Sequence, residues 1–284
     1  MKVFLTQLRA HSHDFRKNFD AVIRIVESSQ SRFSSEDVLL LPELVGGESA
    51  REQYESFTSD LARGLGCYVV AGSHHDGKRE RRINRGAVAD PTGAIVSRYD
   101  KLRPYGIESQ LGIGPGSATG NFDIAGCRVL VLVCADFWYS GVFLSLLNPR
   151  PDLILVPTFS ISLRDSPRAA RPLWRSMAVS RAYEFGVYVG ISDWAYPSEY
   201  HGLKSSSVAG LADPRPREHD GFFSRLGRRS VAGYPVDLDR LREFREHRES
   251  RAFLSDEALT GNIPIGNQTR GRRCPSRASC TTGC

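Results

Sequence analysis

The sequence predicts an α/β sandwich in which helices cover the outside of a β-sheet core. Three observations lead to this fold class. Short apolar runs with the length of buried strands alternate with segments of helical spacing. Strands joined by Pro/Gly turns also form hairpins. Residues 129–136 are apolar up to Cys134 and end in Asp136, which is typical of a strand buried on both faces that ends at the carboxyl edge of a sheet. Open α/β sheets place their chemistry at that edge.

The elements of the first 100 residues follow one another with clear boundaries. Strands are predicted at 2–8, 38–41, 68–73, 87–90 and 94–99, the last two joined by a turn at 90–93. The first helix has Asp14 as its N-cap, and its apolar residues are Phe15, Phe19, Val22, Ile23 and Val26. The second helix ends at Gly66, and its apolar residues are Tyr54, Phe57, Leu61 and Leu65.

A loop rich in Gly and Pro interrupts this pattern at residues 100–116 and contains Lys101, Arg103, Tyr105 and Glu108. Loops of this length inside a domain are usually functional or disordered. Beyond it, strands are predicted at 129–136, 153–156, 187–192, 206–211 and 230–236. Helices are predicted at 142–147, at about 173–185, and from Asp237 to about residue 251.

The composition changes near Gly261, so we predict one domain over residues 1–260 and a disordered tail over 261–284. The tail is rich in Arg, and its Cys274, Cys280 and Cys284 do not complete a zinc motif. The other three cysteines lie in or beside apolar runs, which does not indicate a disulfide framework.

The formal net charge of +6 is spread along the chain and gives little support for nucleic-acid binding. The first residues soon turn polar, which fits neither a signal peptide nor a membrane span. We therefore expect a soluble cytoplasmic protein with no membrane or nucleic-acid partner.

Glu43, Lys101 and Cys134 each follow or end a predicted strand, and Glu108 lies close behind the lysine. These residue types make a set for acyl transfer: a thiol attacks a carbonyl, a carboxylate takes its proton, and a cation holds the developing oxyanion. The alternative is a solvated Glu43–Lys101 ion pair beside a core cysteine. The residue types alone do not decide between the two.

Four segments resemble, in order and spacing, the nitrilase superfamily of carbon-nitrogen hydrolases. They are Leu-Leu-Leu-Pro-Glu at 39–43, Tyr-Asp-Lys-Leu-Arg at 99–103, Val-Leu-Val-Cys-Ala-Asp at 131–136, and Ser-Arg-Ala-Tyr-Glu-Phe-Gly-Val-Tyr-Val at 180–189. A Gly-Pro-Gly turn at 114–116 also fits, and the similarity extends from residue 2 to about 253. Each motif alone is weak, but four in register are specific.

The resemblance implies a four-layer αββα sandwich that pairs through helices into a homodimer or larger homo-oligomer. It implies Cys134 as nucleophile, Glu43 as general base and Lys101 as the cation that stabilises the tetrahedral intermediate. Glu108 matches a second acidic residue that orients substrate and base. The backbone N–H of Ala135 would join the oxyanion hole, and Glu184 would support the site from a helix or else be an exposed helix residue. Neither a metal nor an organic cofactor is implied.

Several residues depart from the family pattern around the expected pocket, notably Ala135, Arg103, Phe185 and Asp193. The pocket candidates are Phe137, Trp138, Thr158, Phe159 and Trp194. Packing in the core or at a dimer contact is the favoured alternative for the aromatic residues at 137–139. We expect hydrolysis of a small non-peptide amide or N-carbamoyl compound. Nitrile hydrolysis, acyl transfer to an amine and a non-catalytic binding module remain alternatives.

Overall fold

A computed structural model describes residues 1–77, 82–146, 148–162, 167, 169–251 and 253. Two β-sheets stack face to face, and apolar side chains from both fill the space between them, including those of Val3, Leu40, Val129 and Leu155. A second apolar cluster joins helices to the outer face of one sheet, and a third does the same for the other. The layers therefore run α, β, β, α, which confirms the predicted sandwich.

The helices and strands of the first half have the following bounds: β1 (Lys2–Leu8), α1 (Phe15–Ser28), β2 (Val38–Leu40), α2 (Arg51–Leu65), β3 (Tyr68–Val70), β4 (His74–Asp76), β5 (Arg82–Ala89), β6 (Ile95–Asp100), α3 (Ile107–Gln110) and β7 (Ile113–Gly114). Those of the second half are β8 (Gly120–Ile124), β9 (Cys127–Val131), α4 (Ser140–Ser145), β10 (Leu153–Pro157), β11 (Ile161–Ser162), α5 (Ala170–Phe185), β12 (Tyr188–Trp194), β13 (Glu199–Tyr200), β14 (Leu203–Ser205), β15 (Gly210–Ala212), β16 (Phe223–Arg225), β17 (Val231–Pro235) and α6 (Leu238–Glu249).

The first sheet contains parallel strands β1, β2 and β3, with antiparallel β17 beside β1 and antiparallel β5 beside β3. The second contains parallel β9, β10 and β12, flanked by antiparallel β8 and β15. The two sheets meet where Gln7 pairs with Asp193 and Leu8 with Trp194. Parallel strands from both sheets therefore end near the same border, which places the residues that follow them close together.

The first two helices form as predicted, with one exception. The Asp14 carboxylate caps α1 by accepting from the Arg16 N–H at 3.1 Å, and Gly66 closes α2 with a φ of +64°. Ile23, predicted on the buried face of α1, is 41% exposed. It lies at the edge of the stripe formed by the other apolar residues, where the sheet no longer covers it.

The predicted strand at 129–136 is too long, and this difference shapes the site. β9 pairs with β10 only up to Val131, and Cys134 begins a 3₁₀ turn over Cys134–Trp138 with a φ of +46°. The turn is closed by the Asp136 N–H, which donates to the Val133 carbonyl at 3.0 Å. Cys134 therefore projects from a sharp turn beyond the strand and is not a strand residue.

Other predicted segments need smaller corrections. The loop at 100–116 contains α3 and β7, and the strand predicted at 206–211 begins at Gly210. Residues 206 and 208 instead donate their N–H groups to the side chains of Ser160 and Asp193. Residue 147 at the end of the predicted helix 142–147, the end of the domain predicted at 1–260, and the tail 261–284 lie outside the described residues. Within those residues, no helix combines the length and the apolar character needed to cross a bilayer.

Candidate active site

The structure brings Glu43, Lys101, Glu108 and Cys134 to the wall of one cavity of about 330 Å³. Glu43 follows β2, Lys101 follows β6, Glu108 lies on α3, and Cys134 follows β9. Glu43 and Cys134 follow parallel strands of the two sheets, whereas Lys101 follows a strand that pairs antiparallel with β5 and Glu108 lies on the helix beyond it. The cavity is thus a product of the fold as a whole and not of one local motif.

Lys101 lies between two carboxylates. Its Nζ is 2.7 Å from Glu43 Oε1 and 2.5 Å from Glu108 Oε2. Asn84 on β5 closes the group, because its Nδ2 donates to Glu43 Oε1 at 2.9 Å and to Glu108 Oε1 at 2.7 Å. All four side chains are almost fully buried. This arrangement contradicts the alternative of a solvated ion pair.

Burial and neighbouring charge act in opposite directions on this group. Burial alone would lower the pKa of Lys101, but the carboxylates of Glu43 and Glu108 raise that pKa well above its usual value. Burial alone would raise the pKa of Glu108, but Lys101, His75 and Asn84 hold it at about 2. Lys101 therefore stays a cation, and Glu108 stays an anion, across the neutral pH range.

Glu43 is held at both carboxylate oxygens and at its backbone. Its Oε1 accepts hydrogen bonds from Lys101 Nζ and Asn84 Nδ2, and its Oε2 accepts one from the Phe159 N–H at 2.9 Å. The indole of Trp194 donates to the Glu43 carbonyl at 2.7 Å. These contacts fix the orientation of the carboxylate before any ligand arrives.

The Cys134 thiol lies in the same cavity, 3.8 Å from the carbonyl oxygen of Phe159, to which it donates. Burial and the nearby Glu43 charge raise the pKa of Cys134 above the usual thiol value, while Lys101 opposes the shift. The thiol is therefore protonated at rest and needs a base in order to attack. The positive φ of Cys134 is uncommon for a residue with a side chain, and such conformations cluster at functional sites.

Asp136 ties the cysteine turn to the lysine loop. Its two carboxylate oxygens accept from the N–H groups of Leu102 at 2.9 Å and Arg103 at 2.8 Å. Burial raises its pKa to about 6, although these hydrogen bonds lower it in part. Asp136 thus sets the position of the backbone next to Lys101 relative to the backbone next to Cys134.

The remaining predicted residues divide into two groups. Ala135, Trp138 and Phe159 line the cavity. Phe137, Thr158 and Trp194 are fully buried behind its wall, and the Phe137 ring packs on Phe143 and Trp174. Phe137 is therefore a core residue. This agrees with the alternative prediction that the aromatic residues at 137–139 pack in the core.

The structure does not bring Glu184 to the cavity. Its carboxylate is 44% exposed on α5 and lies 3.4 Å from the Arg181 guanidinium. This placement corresponds to the alternative of an exposed helix residue. The motif at 180–189 marks the helix and the strand that follows it, but not a side chain that faces the site.

Several residues around the cavity were not predicted. The cavity wall also includes Tyr105, Ile107, Ser160, Leu173, Trp174 and Tyr200. Asn84 supports the carboxylates from a strand, where asparagine is uncommon, and this is the one signal that could have identified it. Tyr200 lies on the short β13 and carries no signal of its own in the sequence.

Comparison with known proteins shows that this is the α/β fold of the nitrilase type. Residues 2–211 match the family model for carbon-nitrogen hydrolases. The chain belongs to the carbon-nitrogen hydrolase family.

The similar proteins include amidases and a nitrilase. The chain is 23% identical over 234 residues to the omega-amidase NIT2 of Homo sapiens, covering 79% of each chain. It is 25% identical over 232 residues to a nitrilase of Pyrococcus abyssi, covering 76% of this chain and 82% of that protein. An amidase from Nesterenkonia sp. AN1 has the same fold, with a TM-score of 0.67, 19% identity and coverage of 89% of this chain and 100% of that one. A CN-hydrolase superfamily protein from Xanthomonas campestris aligns with a TM-score of 0.70, 20% identity and coverage of 89% and 96%.

Proposed function

We propose that the protein is a thiol-dependent hydrolase that cleaves the carbon-nitrogen bond of a small non-peptide amide or N-carbamoyl compound. The single observation that carries this proposal is the shared cavity, in which the Cys134 thiol faces a pre-oriented carboxylate and a buried cation. The solved structure of a mutant of the Nesterenkonia amidase, in which acrylamide has added to the active-site cysteine, supports a nucleophilic role for the thiol.

The first half of the reaction forms an acyl-enzyme. Glu43 takes the thiol proton as the Cys134 sulfur attacks the substrate carbonyl, which gives a tetrahedral intermediate with a negative oxygen. Lys101 and the Ala135 N–H stabilise that oxygen. The carbon-nitrogen bond then breaks, the leaving nitrogen takes the proton back from Glu43, and ammonia or an amine departs. The acyl group remains on Cys134 as a thioester.

The second half returns the enzyme to its starting state. Glu43 removes a proton from water as the water oxygen attacks the thioester, and a second tetrahedral intermediate forms at the same oxyanion site. The carbon-sulfur bond breaks, the sulfur regains a proton from Glu43, and a carboxylic acid leaves. Glu108 takes no part in proton transfer in this scheme, because its low pKa makes its carboxylate a weak base. It holds Lys101 in place.

The cavity wall favours an uncharged acyl group. Among the described lining residues, Lys101 is the single cation, and both of its neighbouring carboxylates are already within ion-pair distance. The remaining wall is largely apolar and aromatic, with Ile107, Trp138, Leu173 and Trp174 among its members. An acyl chain with its own carboxylate would lose hydration there without gaining a cationic partner.

An amide panel with intact-mass detection tests the proposal. We expect ammonia release from amides with short apolar acyl groups, and a mass increase equal to the acyl group on the protein. Cys134→Ala should lower the rate of ammonia release by at least about a thousandfold and should eliminate the mass increase. Cys127→Ala, which removes a different buried thiol, should retain activity.

The product distribution decides the alternatives. Turnover of nitriles in preference to amides, or transfer of the acyl group to an added amine in preference to water, would replace amide hydrolysis as the activity. Ammonia release that persists in Cys134→Ala would refute the thiol mechanism. The absence of any acyl adduct or turnover across the panel would favour a non-catalytic binding module.

A further inference from the structure

A second, larger concavity lies outside the candidate active site. This basic cleft has a volume of about 930 Å³ and is formed where β1 ends, by the segments 195–199 and 207–209, and by the turn at 227–230. It shares no lining residue with the substrate cavity. His11 lines the cleft, and its ring packs against Phe159 and Tyr200 of the substrate cavity at centroid distances of 5.5 and 5.3 Å. The two spaces are therefore neighbours separated by a wall of rings.

The cleft carries a strong excess of positive charge. Its lining contains five arginines and one carboxylate: Arg9, Arg171, Arg225, Arg228, Arg229 and Glu199. The arginines come from three segments that lie far apart in the sequence, at residues 9, 171 and 225–229, and these segments meet where the end of β1, the start of α5 and the turn after β16 converge. Such a concentration of one sign of charge in a concave surface raises the local concentration of anions.

Three of the arginine side chains are free to bind a ligand. Within the described part of the chain, the guanidinium groups of Arg9, Arg225 and Arg228 make no hydrogen bond or ion pair, and all three residues are exposed. Arg171 uses its Nε to donate to the Ser206 carbonyl at 2.7 Å, and Arg229 donates to backbone carbonyls of its own turn. Arg171 and Arg229 are thus positioned by the fold, and the other three add exposed cations to the same lining.

We propose that the basic cleft is a binding site for a small polyanion, a molecule with two or more phosphate or carboxylate groups. Arginine presents a planar fork of donors that matches these oxyanions two bonds at a time. The number of guanidinium groups and the size of the cleft exceed what a single phosphate or carboxylate requires. This proposal is independent of the amide chemistry, since it concerns a different surface.

Isothermal titration of the full-length protein with pyrophosphate tests it, with citrate as the carboxylate counterpart and sodium chloride added to hold ionic strength constant. The cleft variant is Arg225→Ala/Arg228→Ala. The control variant, Arg24→Ala/Arg32→Ala, removes the same charge from exposed positions on and just after α1, outside the cleft. Circular dichroism verifies that both variants fold, and Arg225→Gln/Arg228→Gln provides a second version with longer side chains.

We expect saturable binding of at least one of the two anions to the wild type. The cleft variants should bind at least about tenfold more weakly, and the control within about twofold of the wild type. A preference between pyrophosphate and citrate identifies the oxyanion class.

No saturable binding at millimolar concentration, or equal weakening in the cleft and control variants, overturns the proposal. A wild type that binds neither anion but whose sedimentation coefficient falls in the cleft variants would show that a second copy covers the cleft, and this also overturns it.

Discussion

The substrate cavity and the basic cleft differ in how their charged side chains are buried and paired. In the cavity, Lys101 is 4% exposed and lies within 2.7 Å of two carboxylate oxygens. In the cleft, Arg225 and Arg228 are exposed and have no anionic partner among the described residues. Each arrangement follows from its surroundings. A buried charge is tolerated only when it is paired, whereas a solvated guanidinium needs no partner.

This difference separates two uses of charged side chains. The charges of Glu43, Lys101 and Glu108 are paired without a ligand, so these groups are held in fixed positions, as transition-state stabilisation requires. In the basic cleft, the guanidinium donors of Arg9, Arg225 and Arg228 are not used by other described residues, so they are available to an anion from solution. Substitutions in the two regions should therefore have very different consequences for stability, and the predictions below test that contrast.

The largest effect is expected for Lys101→Met. It leaves Glu43 and Glu108 buried side by side without a cation, so the free energy of unfolding should fall by about 3–5 kcal/mol. Urea unfolding at pH 7 measures this loss. Adding Glu108→Gln should restore part of it, because one of the two unpaired carboxylates is then removed. A loss below about 0.5 kcal/mol would show that the network is not held together by its charges.

A smaller loss is expected for Asn84→Ala. The Asn84 amide is fully buried and donates to Glu43 and Glu108, and its removal deprives both carboxylates of a donor. The free energy of unfolding should fall by about 1–3 kcal/mol. Asn121→Ala is the matched control, because Asn121 is exposed and donates to Thr119 at 3.2 Å. Equal losses in the two variants would contradict a specific role for Asn84.

Asn84 also shows where prediction from the sequence ends. Glu43 was predictable because it follows a buried apolar strand, and the direction of parallel strands fixes the edge at which it emerges. Lys101 follows β6, a half-exposed strand that pairs antiparallel with β5, so its role was indicated by the resemblance to the family and not by a buried parallel strand. Asn84 lies inside a strand, and its partners are 41 and 24 residues away along the chain. No local pattern records that pairing, which exists only after β5 takes its place in the sheet.

The turn at Cys134 was mispredicted for a related reason. The apolar run continues through Val133, but a strand ends where its neighbour stops pairing, and β10 pairs with β9 only up to Val131. The residues beyond are apolar because they face the core, not because they are in a strand. The basic cleft was unpredictable as a site, since its arginines come from distant segments and look in the sequence like ordinary solvated residues.

A pH-dependent effect of about 1 kcal/mol is expected at Asp136. Burial raises its folded-state pKa from 3.8 to about 6, so its charged form destabilises the fold above pH 6, and this cost disappears as the pH falls through 6. Between pH 8 and pH 5 the wild type should therefore gain about 1 kcal/mol of stability relative to Asp136→Asn. Urea unfolding of both proteins across this range measures the difference. A constant difference would mean that the carboxylate titrates normally.

The smallest effect is expected for Arg225→Ala/Arg228→Ala. Because these side chains are exposed and contact no anionic group among the described residues, the free energy of unfolding should stay within about 0.5 kcal/mol of the wild-type value. The size of the stability difference between the variant and the wild type should depend on salt. At about 10 mM ionic strength the cations of the cleft repel one another over a long range, so the variant should be slightly more stable than the wild type. At about 0.5 M salt that repulsion is screened, and the difference should vanish.

A variant that is less stable by more than about 1 kcal/mol at every salt concentration would show that Arg225 and Arg228 hold the cleft together through contacts. Their charge would then be structural, and the contrast with the buried network would be lost.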